Sequence, residues 1–395
     1  MSKRVHYIDA LRVLAVLLLI PFHSARVFDT WEPFYAKNPQ LSAALSWFVA
    51  VVSVWHMPIL FLLAGASTYF ALRKRSSGQY LGERAVRLLV PFVFGVAVFI
   101  PIQTWYGART NVPGFDASYL AYWPTFFRFD TSTSDYFGGF GFGHLWFILF
   151  LFVIATVSLP LLRWCQCDRG RAFVGRLAER PIVPMMLIAM LALMVSVALP
   201  ALGGHEFFFY LVFFVFGFLL MAEEILATWV RARAWVLLGI GLIVFVPAAI
   251  LYSPAQELPD LHPLAIGAEF LYLLTAWLLT LAILGLGMRF LDRPFRGLGY
   301  AGEASYPFYI WHQTVIVVLG FYLVRLAWPV AVKFVVLVVL SLVVSWALYE
   351  VLVRRIPPSR FLFGMRPLER PPASGSTPGI NSAGQRVRGG VRDAG

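Results

Sequence analysis

The sequence predicts an all-α, polytopic integral membrane protein with about ten transmembrane helices and both termini in the cytoplasm. Hydrophobic residues make up 60% of the 395-residue chain and charged residues 13%. Soluble domains hold about 45–50% and about 25%. Mean hydropathy is +0.76. Apolar runs recur along the chain, most of them near the roughly 20 residues that cross a bilayer as a helix. These values exclude an ordinary soluble enzyme, a disordered chain and a fibrous one.

In order, the runs are Ile8–Phe28, Leu45–Leu72, Leu88–Gly107, Gly143–Leu162, Ile182–Pro200, Phe207–Ala222, Ala234–Tyr252, Leu264–Met288, Ala304–Leu326 and Pro329–Val353. The first follows Lys3 and Arg4 in the manner of a signal peptide, but no small-residue cleavage site succeeds it, so it reads as retained. The two runs across 182–222 are separated only by the short gap Ala201–Glu206.

Charge sets the orientation. When loops are assigned alternately to two sides, 25 of the 32 Lys and Arg fall on the N-terminal side and five on the other. Arg12 and Lys333 lie inside spans. The positive-inside rule then places both termini in the cytoplasm. The net charge of +12 reflects this bias and attraction to anionic lipid. Nucleic acid is not an expected partner, because no soluble domain remains to present a basic, aromatic surface.

Residues 1–366 read as one membrane domain. The remainder, 367–395, is rich in Pro, Gly, Ser and Arg and reads as a disordered cytoplasmic tail. The external loop 108–142 is crowded with Phe, Tyr and Trp. Two readings stand for it, an interfacial aromatic belt and a stacking surface for a sugar. Cys165 and Cys167 form a C-x-C without a second pair, which reads as two reduced thiols.

Ionisable groups inside a bilayer are costly and mark function. The first run holds Asp9, Arg12 and His23. Eleven residues separate Arg12 from His23, nearly three turns, so both project from one face, roughly 16 Å apart along the axis. Asp9 precedes Arg12 by three residues and can pair with it. A snorkelling anchor pair and an interfacial histidine are the bland readings. His144 and Trp146 open the fourth run, and His312 lies within the ninth. His56, His144 and His312 each read as a core or interfacial histidine as readily as a site residue. Glu269 and Glu350 are intramembrane acids. Glu350 is placed to pair with Arg354 four residues on, and Glu269 is a candidate to orient an imidazole.

Tyr7-Ile-Asp-Ala-Leu-Arg12, ten residues and His23 together resemble the R-x10-H signature of the membrane-bound acyltransferase type 3 family. Further matches follow in order: His56-Met-Pro-Ile-Leu-Phe-Leu-Leu-Ala-Gly65, Arg84 and Arg87 ahead of Pro91, Gly143-His-Leu-Trp-Phe147 and Ala304-Ser-Tyr-Pro-Phe-Tyr-Ile-Trp-His312. The resemblance covers about residues 5–366. Ile20-Pro-Phe-His23, Ala347-Leu-Tyr-Glu-Val-Leu-Val-Arg-Arg-Ile-Pro357 and Phe361-Leu-Phe-Gly364 resemble members that modify glucans. One departure is Ala64, where the family usually carries Ser before Gly.

The resemblance implies a bacterial inner-membrane O-acyltransferase. It would move a succinyl or acetyl group from cytosolic acyl-CoA to a hydroxyl of a periplasmic or envelope carbohydrate such as a glucan. Acyl-CoA would be a substrate, with no bound cofactor and no metal. In that chemistry His23 is the candidate base. Arg12, oriented by Asp9, joins Arg84 and Arg87 as candidates for the donor phosphates. His144, Trp146, His312 and Glu269 are the remaining candidates around the substrates. The competing reading is a transporter or flippase of a lipid-linked or acylated sugar, which embedded charges and many spans also suit. No repeat of fixed period supports it. No G-x-S-x-G elbow, P-loop or metal motif is present.

Overall fold

A computed structural model describes residues 5–31, 33–179, 182–259 and 262–366. The assigned tail, 367–395, lies outside the described residues. Each of the ten apolar runs falls on helix, and no strand forms among the described residues. The helices are α1 (His6–Arg26), α2 (Ala43–Leu72), α3 (Ser77–Asn111), α4 (Tyr119–Phe126), α5 (Gly143–Val157), α6 (Leu159–Gln166) and α7 (Asp168–Glu179). They continue with α8 (Ile182–Val197), α9 (Phe207–Ala222), α10 (Glu224–Ala255), α11 (Pro263–Phe290), α12 (Leu298–Leu323), α13 (Val330–Val353) and α14 (Pro357–Leu362).

Six of these are long and apolar enough to cross a membrane: α1, α2, α3, α10, α11 and α13. The fourth run, expected as one span, is bent by 49° between α5 and α6. The bend has a local cause. Ser158 Oγ donates back to the Ile154 carbonyl at 2.6 Å, and Pro160 follows at the start of α6. α12 is long enough, but the string Tyr309, His312, Gln313 and Thr314 lowers its hydropathy. α8 and α9 are short and apolar. The narrow gap between them is closed by Gly203 and Gly204 at φ 59° and 77°, inside the Leu202–His205 bridge. A two-residue turn of this kind needs positive φ at both positions, which glycine supplies.

Without a hydrophobic drive between helices in lipid, small residues set close crossings. α2 meets α9 backbone to backbone. A Cβ on Gly65 would lie 1.8 Å from the Phe214 carbonyl oxygen, and one on Gly217 would lie 2.0 Å from that of Leu62. α1 is wedged between α2, α11, α12 and α13. α10 and α13 turn large apolar side chains outward, including Ile243, Ile250, Val335 and Val343. A bilayer covers such faces.

The loop 108–142 divides between its two expected roles. Tyr122 and Phe126 are buried, and Tyr122 Oη lies 2.8 Å from both Thr104 Oγ1 and the Gly138 carbonyl. Asn111 donates to the carbonyls of Phe34 and Tyr136 at 3.0 and 2.9 Å. Leu120, Trp123 and Phe129 face outward. The loop is a folded cap with an apolar outer rim.

Candidate active site

Beneath this cap lies a cavity of about 920 Å³. α1 contributes His23 and Arg26, α2 His56, α5 His144 and Trp146, α9 Tyr210, α11 Tyr272, and α12 Tyr309 and Gln313. Residues from the cap, Thr131 to Phe142, and His205 from the Gly203-Gly204 turn complete the rim.

Three imidazoles form a row beside this cavity. The rings of His23 and His312 are 5.1 Å apart between centroids, and those of His312 and His144 are 4.9 Å apart. A backbone carbonyl organises two of them. The Tyr309 oxygen lies 2.8 Å from His312 Nδ1 and 3.1 Å from His144 Nε2. A carbonyl only accepts, so both nitrogens carry hydrogen. The Ile310 oxygen also accepts from His144 Nε2 at 3.1 Å, and the Tyr309 hydroxyl donates to the His144 carbonyl. His56 belongs to packing as much as to the cavity, its Nε2 lying 2.7 Å from the Ala15 carbonyl of α1. His312 is 1% exposed and stands behind the cavity wall.

An aromatic platform lines the same cavity. Trp146 and His205 stack at 4.0 Å with 16° between planes, and Tyr210 lies 5.3 Å from Trp146. Burial lowers the His205 imidazole to about 4, so it is neutral at pH 7. The Arg26 guanidinium lies 5.6 Å over Phe34 and donates to Asp29 Oδ2 at 2.6 Å. Lys37 also pairs with that buried carboxylate.

The cationic candidates gather elsewhere. Arg12 reaches Asp9 Oδ1 at 3.4 Å and donates to Ser67 Oγ at 2.8 Å. Arg84 donates to the adjacent Thr68 Oγ1 at 2.9 Å and lies 5.0 Å over the Tyr80 ring. Two guanidiniums thus converge on consecutive hydroxyls of α2. Ala64, the departure from the family pattern, lies one turn before them and accepts through its carbonyl from Thr68. Arg87 is exposed on a π turn within α3. The site is therefore two clusters separated by roughly 16 Å along α1.

His23, His144 and Trp146 are brought together, with His312 against them. Glu269 does not line the cavity. It is half-buried on α11, three residues before the lining residue Tyr272. Glu350 pairs with Arg354 at 3.0 Å. Sequence reasoning missed His205, Tyr210, Arg26 and two buried amides, Gln103 and Gln313. Gln103 Nε2 donates to Thr314 Oγ1 at 2.7 Å and lies 3.5 Å from His144 Nδ1. Amides inside apolar runs were a usable signal, since each must find partners when buried. No group of three or more His, Cys, Asp or Glu among the described residues is placed to hold a metal ion.

Chemically, the cavity offers an imidazole beside a large polar-rimmed space and an aromatic face suited to a ring-shaped substrate. The sequence profile described as acyltransferase domain matches residues 5–350. Glucans biosynthesis protein C of Salmonella schwarzengrund is 22% identical, over 93% of this chain and 96% of that protein. The proteins of the same name from Salmonella paratyphi B and Salmonella heidelberg are 22% and 21% identical over the same shares. No solved structure matches the chain.

Proposed function

Since the chain belongs to the acyltransferase family, whose members transfer groups other than amino-acyl groups, we propose that it moves an acyl group, succinyl or acetyl, from acyl-CoA to a carbohydrate hydroxyl. The acceptor class follows the glucan-related name of its relatives. The observation that carries the reading is that His23 and the Trp146–His205 stack line one capped cavity. The arginine cluster lies at the other end of the same helix.

His23 takes the proton from the acceptor hydroxyl. The hydroxyl oxygen attacks the thioester carbonyl, forming a C–O bond. The C–S bond breaks, and the imidazolium returns the proton to the leaving thiolate. Arg12 and Arg84 hold the donor phosphates, with Asp9 and Ser67 fixing Arg12 and the exposed Arg87 adding charge at the entrance. Trp146 and His205 stack on the sugar ring. With about ten spans and both termini and the tail 367–395 cytoplasmic, the arginine end would face the cytosol of a bacterial inner membrane and the cavity the periplasm. A transporter would share the cavity and can use histidines as a proton relay, but the family match favours covalent transfer.

Proteoliposomes given acetyl-CoA or succinyl-CoA and a glucan acceptor test this. The expected result is release of free CoA thiol and a mass gain on the glucan, both absent with His23→Ala. Movement of the sugar without a mass gain would overturn the reading in favour of transport.

A further inference from the structure

Two buried ring nitrogens in the histidine row have no hydrogen-bond partner, Nδ1 of His23 and Nε2 of His312. Their rings face each other at 5.1 Å, tilted by 43°. An unsatisfied buried polar atom is costly, and two on neighbouring rings call for a common cause.

Their surroundings assign complementary roles. On His312, Nδ1 donates to the Tyr309 carbonyl at 2.8 Å, so Nε2 presents a lone pair. On His23, a base that uses Nε2 toward the cavity carries its hydrogen on Nδ1. A donor therefore stands opposite an acceptor. His144 does not compete for the same atom. Its Nε2–H is already held by the Tyr309 and Ile310 carbonyls, and its Nδ1 faces Gln103 Nε2 at 3.5 Å. The other titratable or charged side chains around His23 are His56 on α2 and Arg26 on α1.

We propose that His312 is a positioning residue for His23. Rotation of the His23 ring closes an Nδ1–H···Nε2 bond between the two. The bond fixes the tautomer whose lone pair faces the cavity and steadies the imidazolium formed when the acceptor proton is taken. His312 sits behind the cavity wall, so it acts through His23 and not on substrate. The step is one proton moving from the acceptor oxygen to His23 Nε2, with His312 keeping its own hydrogen on Nδ1. The inference rests on His23 serving as the base.

The test uses full-length protein in lipid, with His312→Leu and His312→Gln. A glutamine oxygen reaches close to the place of Nε2 and accepts the same bond, whereas leucine fills the space and cannot. One readout needs no substrate. The chain has seven histidines, so 15N-histidine NMR with His23→Ala as the assignment control reports the His23 tautomer. Wild type and His312→Gln should show one tautomer, with hydrogen on Nδ1, and His312→Leu a mixture. In acyl transfer, His312→Leu should lower kcat by at least about 100-fold, the lower end of what a general base contributes, with KM unchanged. His312→Gln should stay within about tenfold. An identical His23 tautomer in wild type and His312→Leu, or kcat within twofold, would overturn the proposal. If His312→Leu does not fold, loss of the single tautomer in His312→Gln overturns it instead. A wild type that transfers nothing yet shows the tautomer response refutes the acyltransfer reading alone.

Discussion

Replacing Tyr35 with Phe removes one oxygen from beneath the cap over the cavity. Tyr35 is 1% exposed, and its hydroxyl donates to Asp135 Oδ2 at 2.5 Å. Burial pushes both the Asp135 carboxyl and the Tyr35 hydroxyl above their usual ranges. A hydrogen bond to a charged acceptor contributes about 1.5–3 kcal/mol. Ser134 Oγ and the Tyr136 backbone N–H still donate to Asp135 after the change, so the loss is that of the one strong bond to Tyr35. A cost of about 2 kcal/mol raises the open population of the cap about 30-fold, if cap opening is local. Limited proteolysis between residues 127 and 134, with cleavage slower than reclosing, reads that population directly. Tyr35→Phe should be cut about 30-fold faster than wild type. Asp135→Asn, which keeps an acceptor oxygen, should be cut less rapidly than Tyr35→Phe, and the double variant should show less than the summed effect. The pH dependence has a definite sign. A carboxyl whose folded value lies above its unfolded value near 3.9 contributes fully below that value and less as pH rises through the folded one. Wild-type cleavage should therefore slow as pH falls from 7 toward 4, and Asp135→Asn should flatten the slope. Equal cleavage of Tyr35→Phe and wild type would refute the role of this bond in holding the cap.

Other perturbations follow from the same contacts. Trp146→Ala removes the stack on His205 and should raise the acceptor KM about 3–10-fold with kcat nearly unchanged, since an aromatic pair contributes about 0.5–1.5 kcal/mol; a kcat loss with constant KM would contradict the platform. Arg12→Ala should raise the KM for acyl-CoA at least tenfold, from the loss of a charge-assisted contact to phosphate, and unchanged donor affinity would sink its assigned role. Gly217→Ala drives a Cβ to 2.0 Å from the Leu62 carbonyl, so α2 and α9 must part, at about 1–3 kcal/mol. Thermal unfolding should show this loss, while Gly239→Ala, with nothing within 4 Å of its new Cβ, should be neutral or stabilising.

The helices were legible because each apolar run is a local feature. So was the pairing of Asp9 with Arg12, since a helix fixes spacing within itself. What joins α5 to α12 was not legible. The Tyr309 carbonyl holds both His144 and His312, and a backbone acceptor leaves no trace in composition. The Trp146–His205 stack depends on the Gly203-Gly204 turn swinging His205 across the cavity. Gln103 and Gln313 were less legible because an uncharged amide costs less to bury than an ionised group and stands out less within an apolar run. The aromatic loop resisted a single role because its rings serve packing and outer surface alike. Glu269 is an embedded acid three residues from the lining residue Tyr272 but outside the lining itself.

The most direct test of the central claim is mass spectrometry of envelope and periplasmic glycans from cells carrying wild-type protein, His23→Ala or none. The expected result is an acyl mass increment on a glucan with wild type alone, its size separating acetyl from succinyl. Glycans of identical mass in all three strains would contradict acyl transfer to carbohydrate.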